Sequence, residues 1–404
     1  MSLNDTPRAN RPHIAIFGRR NAGKSSLINA ITGQDIALVS EQAGTTTDPV
    51  YKSMEILPLG PCVLIDTAGI DDEGTLGQLR VKKTREVLEK SDLAILIIDP
   101  TLGISNFEKN LLKSFDQQGV PVLGVLNKID LLKDEIEELA KELDLNLHPI
   151  SALTGEGIAE LKELVARHTP TDYTRDSIVG DLLSPGDLCI LVTPIDSAAP
   201  KGRLILPQVQ TIRDILNHNA LALVVKETEL PAALASLKEP PRLVITDSQV
   251  FKEVSALLDT SIPLTSFSIL FARYKADLKA MMEGIKTVEN LKPGARVLIA
   301  EACTHHRQED DIGTIKIPRL LEKQAGGKLD ITWYSGSSYP EDLESYELII
   351  HCGACMLNRK QMLSRVRKAR EKNVPIVNYG VFLAYMNGIL ERTTSNLTGR
   401  GDRI

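Results

Sequence analysis

Three segments in the first third of the chain carry residues suited to a phosphate-rich ligand. Gly18-Arg19-Arg20-Asn21-Ala22-Gly23-Lys24-Ser25-Ser26 has the spacing of a P-loop and runs into the helical pattern SLINAIT. Glycines let backbone N–H groups curl round phosphates, and the N-terminus of the following helix adds a favourable dipole. Lys24 would reach the β- and γ-phosphates, and the Ser25 hydroxyl would hold Mg²⁺. Downstream, Asp66-Thr67-Ala68-Gly69 offers a carboxylate that can hold Mg²⁺ through water and, at Gly69, an N–H that can sense the γ-phosphate. Between them lies the polar loop Gly44-Thr45-Thr46-Thr47-Asp48, in which Thr46, with Thr45 as second choice, would ligate Mg²⁺ only when triphosphate is bound.

Two further segments bear on the choice of base. Asn127-Lys128-Ile129-Asp130 and Ser151-Ala152-Leu153 each follow a strand-like run. The Asp130 carboxylate can accept two hydrogen bonds from guanine N1–H and N2–H₂, while Asn127 serves the N7 edge. Adenine would set an acceptor against that carboxylate and an amine against the Ala152 N–H. Unpaired buried groups of that kind cost several kcal/mol, so the site is expected to take GTP and GDP rather than adenine nucleotides.

The cysteines form a second constellation. Of five in the chain, Cys62 and Cys189 lie in apolar strand patterns and read as small core residues. The other three are Cys303, in Glu301-Ala-Cys-Thr-His305-His306, and Cys352 with Cys355, in His351-Cys-Gly-Ala-Cys355. Each group directly follows a strand pattern, and in a parallel α/β sheet the carboxyl ends of strands share one edge, where ligands collect. Three thiols can converge there although nearly fifty residues separate them. Spacing alone leaves three outcomes open: zinc with a histidine (His305, His306 or His351) as fourth ligand, an iron–sulfur cluster with one iron open, or an uncoordinated redox pair. Glu301, Glu309, Asp310 and Asp311 are further candidates for a fourth ligand. After Cys355 a helical pattern over 358–372 places Met362, Leu363, Val366 and Ala369 on one face, with its N-terminus toward the cysteine loop. Its other face carries Arg359, Lys360, Arg365, Arg367, Lys368, Arg370 and Lys372, read as a solvated basic surface or a dock for an acidic partner.

These groups need elements to position them. Short apolar runs (HIAIFG, CVLIDTAG, LAILIID, VPVLGVLNK, ALALVV, RLVITD, ARVLIA, YELIIHC, VPIVNYG) alternate with longer amphipathic segments from end to end, which predicts α/β architecture with mainly parallel sheets. The polar stretch 168–177, with Pro170, reads as a linker. A helical segment over 267–291 ends at Lys292-Pro293-Gly294, so the expected division is 1–170, 171–265 and 266–404. A length of 404 residues suits two or three domains, and 43% apolar with 25% charged residues excludes wholesale disorder. A net charge of −6 disfavours a large phosphate-neutralising surface, so neither nucleic acid nor membrane is expected as partner. No apolar run approaches the ~18 residues of a membrane span, the N-terminus lacks a signal-peptide core, and a cytoplasmic protein is expected.

The motif series over roughly residues 10–170 resembles the translation-factor-like GTPases of the Era and TrmE type. Asn21 matches the asparagine that helps bind K⁺ beside the phosphates in such relatives, and Ile70 stands where Ras-like proteins have a water-positioning glutamine. The resemblance therefore implies slow, K⁺-stimulated hydrolysis, with Gly44–Asp48 and Asp66–Asp72 as switch elements. Taken whole, the chain resembles the HydF family of GTPase maturation factors of di-iron hydrogenases. The matching pattern is Cys303-Thr-His305, then 45 residues (306–350), then His351-Cys352-Gly-Ala-Cys355. That resemblance implies a 4Fe–4S cluster on Cys303, Cys352 and Cys355 with an exchangeable fourth position, for which His305 and His351 are candidates. It further implies a scaffold or carrier that takes a di-iron subcluster precursor from radical-enzyme maturases to apo-hydrogenase. The middle unit is expected to make a homodimer or higher homo-oligomer. The rival expectation is an Era-like GTPase acting on RNA or ribosomes with a structural zinc module.

Overall fold

The computed structural model describes residues 8–33, 49–67, 76–131, 141–170, 177–195, 204–302, 311–336 and 339–397. It divides into two compact units, Met1–Arg175 and Asp176–Ile404.

The first unit is built on a six-stranded sheet. Its strands are β1 (His13–Phe17), β2 (Val50–Ile56), β3 (Gly60–Asp66), β4 (Leu93–Ile98), β5 (Val122–Leu126) and β6 (Leu147–Pro149), in the order β2-β3-β1-β4-β5-β6. All neighbours are parallel except the β2–β3 pair. β1 and β4 are buried along their whole length, because helices cover both faces of the sheet; hence their unbroken apolar sequences. The helices here are α1 (Lys24–Thr32), α2 (Leu76–Leu88), α3 (Asn106–Gln117) and α4 (Ile158–His168). β1 lies between β3 and β4, so the chain crosses over it and opens a crevice at its carboxyl end. The P-loop emerges there.

The second unit holds two four-stranded parallel sheets. The first comprises β7 (Leu188–Val192), β8 (Leu221–Val225), β9 (Leu243–Thr246) and β10 (Leu264–Ser266), in the order β10-β9-β7-β8. The second comprises β11 (Arg296–Glu301), β12 (Asp330–Ser335), β13 (Leu348–His351) and β14 (Ile376–Asn378), in the order β12-β11-β13-β14. The two orders are the same, with the first strand flanked by the second and third, so each sheet has a crevice between its first and third strands. One continuous apolar core serves both sheets. The α/β expectation is met throughout.

The expected long helix over 267–291 is three shorter ones. Following α5 (Leu206–Asn217), α6 (Leu230–Ala235) and α7 (Phe251–Leu257), these are α8 (Phe267–Lys275), α9 (Leu278–Glu283) and α10 (Ile285–Glu289). Ser266 caps the start of α8, Asp277 explains the first break by accepting the Ala280 N–H to start α9, and Gly284 stands at the second. The expected domain boundary at 266 thus falls at the cap of α8, whose apolar residues lie in the shared core. The remaining helices are α11 (Ile317–Ala325), α12 (Arg359–Glu371), α13 (Tyr379–Met386) and α14 (Leu390–Thr394).

Candidate functional site

In the first unit the nucleotide motifs meet around the carboxyl end of β1. Gly18 turns the chain against β4, where an added Cβ would lie 2.6 Å from the Ile97 carbonyl oxygen. Gly23, at φ +96°, leaves room for Asn127, whose Nδ2 would be 2.1 Å from any added Cβ. Asn21 also adopts a left-handed backbone, φ +61°, which asparagine tolerates better than most residues. The Lys24 ammonium is buried across the loop and donates to the carbonyls of Gly18 (2.6 Å) and Arg19 (2.7 Å). Ser25 is half-buried and Ser26 exposed at the start of α1. Asp66 ends β3, its carboxyl held above the usual range by burial, against the pull of Lys24 and Lys52. Neighbouring Thr67 donates to the Ile16 carbonyl at 2.6 Å, tying that strand end to β1.

The base-side residues converge too. Asn127 Nδ2 donates to the Ala22 carbonyl at 2.9 Å, and its Oδ1 accepts the Ala152 N–H at 3.0 Å. Its amide therefore ties the P-loop to the Ser151–Leu153 loop, and since the Ala22 bond uses one of the two Nδ2 N–H donors it is compatible with the second serving a base edge. Asp130 Oδ1 accepts the Ser151 hydroxyl at 2.6 Å, which orients the carboxylate, and Leu153 is exposed. Lys128, at φ +65°, pairs with Asp99 at 2.5 Å. Burial would raise the Asp99 carboxyl, but hydrogen bonds from Lys128 and Thr101 outweigh it and hold the group below its ordinary value. A further support had no motif to mark it. Arg19 donates to the buried Glu108 carboxylate at 2.7 Å and to the Gly103 carbonyl, while Glu108 caps α3 through Ser105. Thr46, Gly69 and Ile70 lie outside the described residues.

In the second unit the cysteine loop sits at the crevice between β11 and β13. Cys352 Sγ accepts the N–H of Ala302 at 3.0 Å and of Ala354 at 3.4 Å. Ala302 directly precedes Cys303, so the end of β11 is joined to the Cys352 sulfur. Ala354 has a left-handed backbone, φ +52°, which for an alanine costs about 1–2 kcal/mol and must be held by its surroundings. Beneath the loop, the fully buried Lys275 of α8 donates to the carbonyls of Ala354 (3.2 Å), Cys355 (3.2 Å) and Leu357 (2.8 Å). Burial pulls its ammonium down to about 8, and the thiolates of Cys355 and Cys352 pull the other way. Amides directed at one sulfur and a cation under the other suit an anionic, thiolate-held group.

His351 is placed differently from the expectation. It is buried at the end of β13, with Nδ1 donating to its neighbour Cys352's carbonyl at 2.8 Å and Nε2 accepting from Arg365 at 3.0 Å. Both ring nitrogens are therefore engaged, and in this arrangement neither is available as a ligand. Arg365, expected on the solvated face of its helix, is instead buried, donating also to the Gly336 carbonyl at 2.8 Å and stacking over Tyr339. Leu363, expected inside, is exposed, because Arg365 and Met362 take the inward positions of α12. Among the alternative fourth ligands, Glu301 accepts the Tyr379 hydroxyl at 3.3 Å and Asp311 caps the turn at Thr314. Cys303, His305, His306, Glu309 and Asp310 lie outside the described residues. Among the described residues alone, no group of three or more metal-ligating side chains converges. No helix among them is long and apolar enough to cross a membrane.

Comparison with known proteins assigns the parts. A model described as a 50S ribosome-binding GTPase matches residues 13–128. The GTPase Der of Kosmotoga olearia is 39% identical over 162 residues, covering 37% of this chain and 36% of that protein. The tRNA modification GTPase MnmE of Paraburkholderia xenovorans is 36% identical over 157 residues, covering 38% and 33%. The chain thus spans only about a third of the length of these curated relatives. Among solved structures, Aquifex aeolicus Era bound to GDP.AlF4- aligns at 22% identity with a TM-score of 0.35, over 53% of this chain and 93% of that one. The first unit is a P-loop GTPase domain. The second is matched by the hydrogen maturase F dimerization domain over residues 178–276 and the hydrogen maturase F tetramerization domain over residues 279–396. With both maturase domains following a GTPase domain, the chain belongs to the hydrogen maturase F family.

Proposed function

We propose that this chain is a hydrogenase-maturation GTPase that binds a 4Fe–4S cluster through Cys303, Cys352 and Cys355. In this role it is a scaffold or carrier, taking a di-iron subcluster precursor from radical-enzyme maturases to apo-hydrogenase. The observation that carries the cluster assignment is the 3.0 Å hydrogen bond from Ala302 to Cys352 Sγ, which brings the chain on either side of the long gap to one place. The cluster would supply an iron with an exchangeable position, and a ligand other than His351 would take it. GTP hydrolysis, with Mg²⁺ on Ser25, Asp66 and Thr46, acts as a timing switch on partner association rather than as assembly chemistry. Anaerobic purification tests this reading: a brown protein containing iron and sulfide in equal amounts supports it, and a colourless zinc protein would refute it.

Homo-oligomers follow from the family domains. We place the pairing of two copies at the β8 edge, where a strand of five apolar residues leaves Leu221 55% and Val224 39% exposed. K⁺ dependence rests on Asn21. Replacing NaCl by KCl is expected to raise GTP turnover roughly tenfold or more, a cation substituting in part for an arginine finger. Asn21→Ala is expected to erase the difference, and equal rates of the unaltered protein in both salts would dismiss K⁺ as an activator.

A further inference from the structure

Lys275 is 1% exposed, and its three hydrogen bonds go to three backbone carbonyls of a single segment, Ala354 to Leu357. An ammonium has three N–H donors, so the segment saturates it. Among the described residues no carboxylate is paired with it, and its other close neighbours are the Phe271 ring at 5.4 Å and the sulfurs of Cys355 and Cys352. A charge so placed carries a desolvation cost that its three hydrogen bonds and the neighbouring sulfurs must offset. Its position in the chain is equally telling. Lys275 belongs to the stretch matched by the dimerization domain, 178–276, whereas the loop it holds belongs to the tetramerization domain, 279–396.

We propose that Lys275 is a positioning residue for the cluster: its ammonium gathers the carbonyls of Ala354, Cys355 and Leu357, fixes the left-handed turn at Ala354, and sets the reduction potential of the bound group. The inference rests on the cluster reading above. Lys275 holds the Ala354 carbonyl, and one peptide earlier the Ala354 N–H faces Cys352 Sγ, so fixing the left-handed Ala354 between them keeps the dipole of the Gly353–Ala354 peptide turned toward a ligand sulfur. The fixed positive charge beneath the cysteines adds to this effect. A reduced cluster carries one more negative charge than the oxidised one, and both the dipole and the cation favour it. Lys275 therefore couples the core of the dimerization domain to the redox state of its neighbour.

The test uses the full chain, reconstituted anaerobically with iron and sulfide, as the unaltered protein, Lys275→Met and Lys275→Gln. Met matches the length of Lys without its charge or donors, and Gln removes the charge while keeping donors for the carbonyls. The midpoint potential, from a redox titration followed by electron paramagnetic resonance, is expected to shift negative in both variants. The larger shift is expected in Lys275→Met, with an altered resonance signal or loss of more than half of the iron. Should Lys275→Met fail to fold, as judged by circular dichroism and gel filtration, the Lys275→Gln potential decides alone. A Gln variant at the potential of the unaltered protein overturns the inference. An unaltered protein that takes up no iron and sulfide would instead overturn the cluster reading itself, so the two failures are told apart.

Discussion

Replacing Lys24 by alanine is expected to lower GTP turnover by roughly 10²–10³-fold, the loss typical when one preorganised donor is removed from a charge that develops in the transition state. The Lys24 ammonium already lies buried within the loop, 2.6 Å from the Gly18 carbonyl and 2.7 Å from that of Arg19, so little reorganisation is needed to meet phosphate oxygens. Iron content after reconstitution is expected to stay the same, because Lys24 belongs to the unit Met1–Arg175 and the cysteines proposed to hold the cluster belong to Asp176–Ile404. Phosphate release and iron assays on one preparation check both halves. Turnover within threefold of the unaltered protein would contradict the P-loop role, and loss of iron would contradict the division of labour between the units.

The second large effect concerns which cysteines matter. Serine at 303, 352 or 355 exchanges a soft thiolate for a hard, poorly ionised hydroxyl, and each change is expected to remove most of the bound iron. Serine at 62 or 189 is expected to leave iron in place. Both of those thiols are fully buried in apolar cores, and burial pushes each up to about 12, so neither offers a thiolate. Their replacement would bury a hydroxyl and cost about 1–3 kcal/mol of stability, read as a lower Tm. Cys352 differs in kind, with two backbone N–H groups turned toward its sulfur. Iron and sulfide quantification across the five variants settles the contrast, and full cluster retention in Cys355→Ser would remove the basis for the scaffold role.

Much of the nucleotide site is legible in the order of residues alone, because its motifs are local. A P-loop is a strand, a glycine turn and a helix in direct succession, and the β1 to α1 passage through Gly18, Gly23 and Lys24 is visible as one run of letters. The apolar strands are legible for a related reason: burial on both faces forces β1 and β4 to be apolar throughout, a pattern chemistry imposes residue by residue. β2 and β12 lack that signal. They are edge strands, half exposed, and their mixed sequences look like loops.

What tertiary structure alone decided is where long-range polar partners lie. Asn127 reads in sequence as a base-contacting residue, and nothing in its motif shows that it also clamps Ala22, 105 positions away. His351 reads as a ligand beside two cysteines, yet Arg365 occupies one of its nitrogens and the Cys352 carbonyl the other. Lys275 gives no sign in sequence of any tie to Leu357, 82 positions on, because one lysine at a helix end is ordinarily a solvated charge. The sequence determines which chemical groups exist and which short segments present them. Which buried charge meets which carbonyl is set by the strand order that folds β13 beside β11 and by the packing of α8 against β14 and the loop after β13, since hydrogen bonds act over about 3 Å and leave no periodicity along the chain.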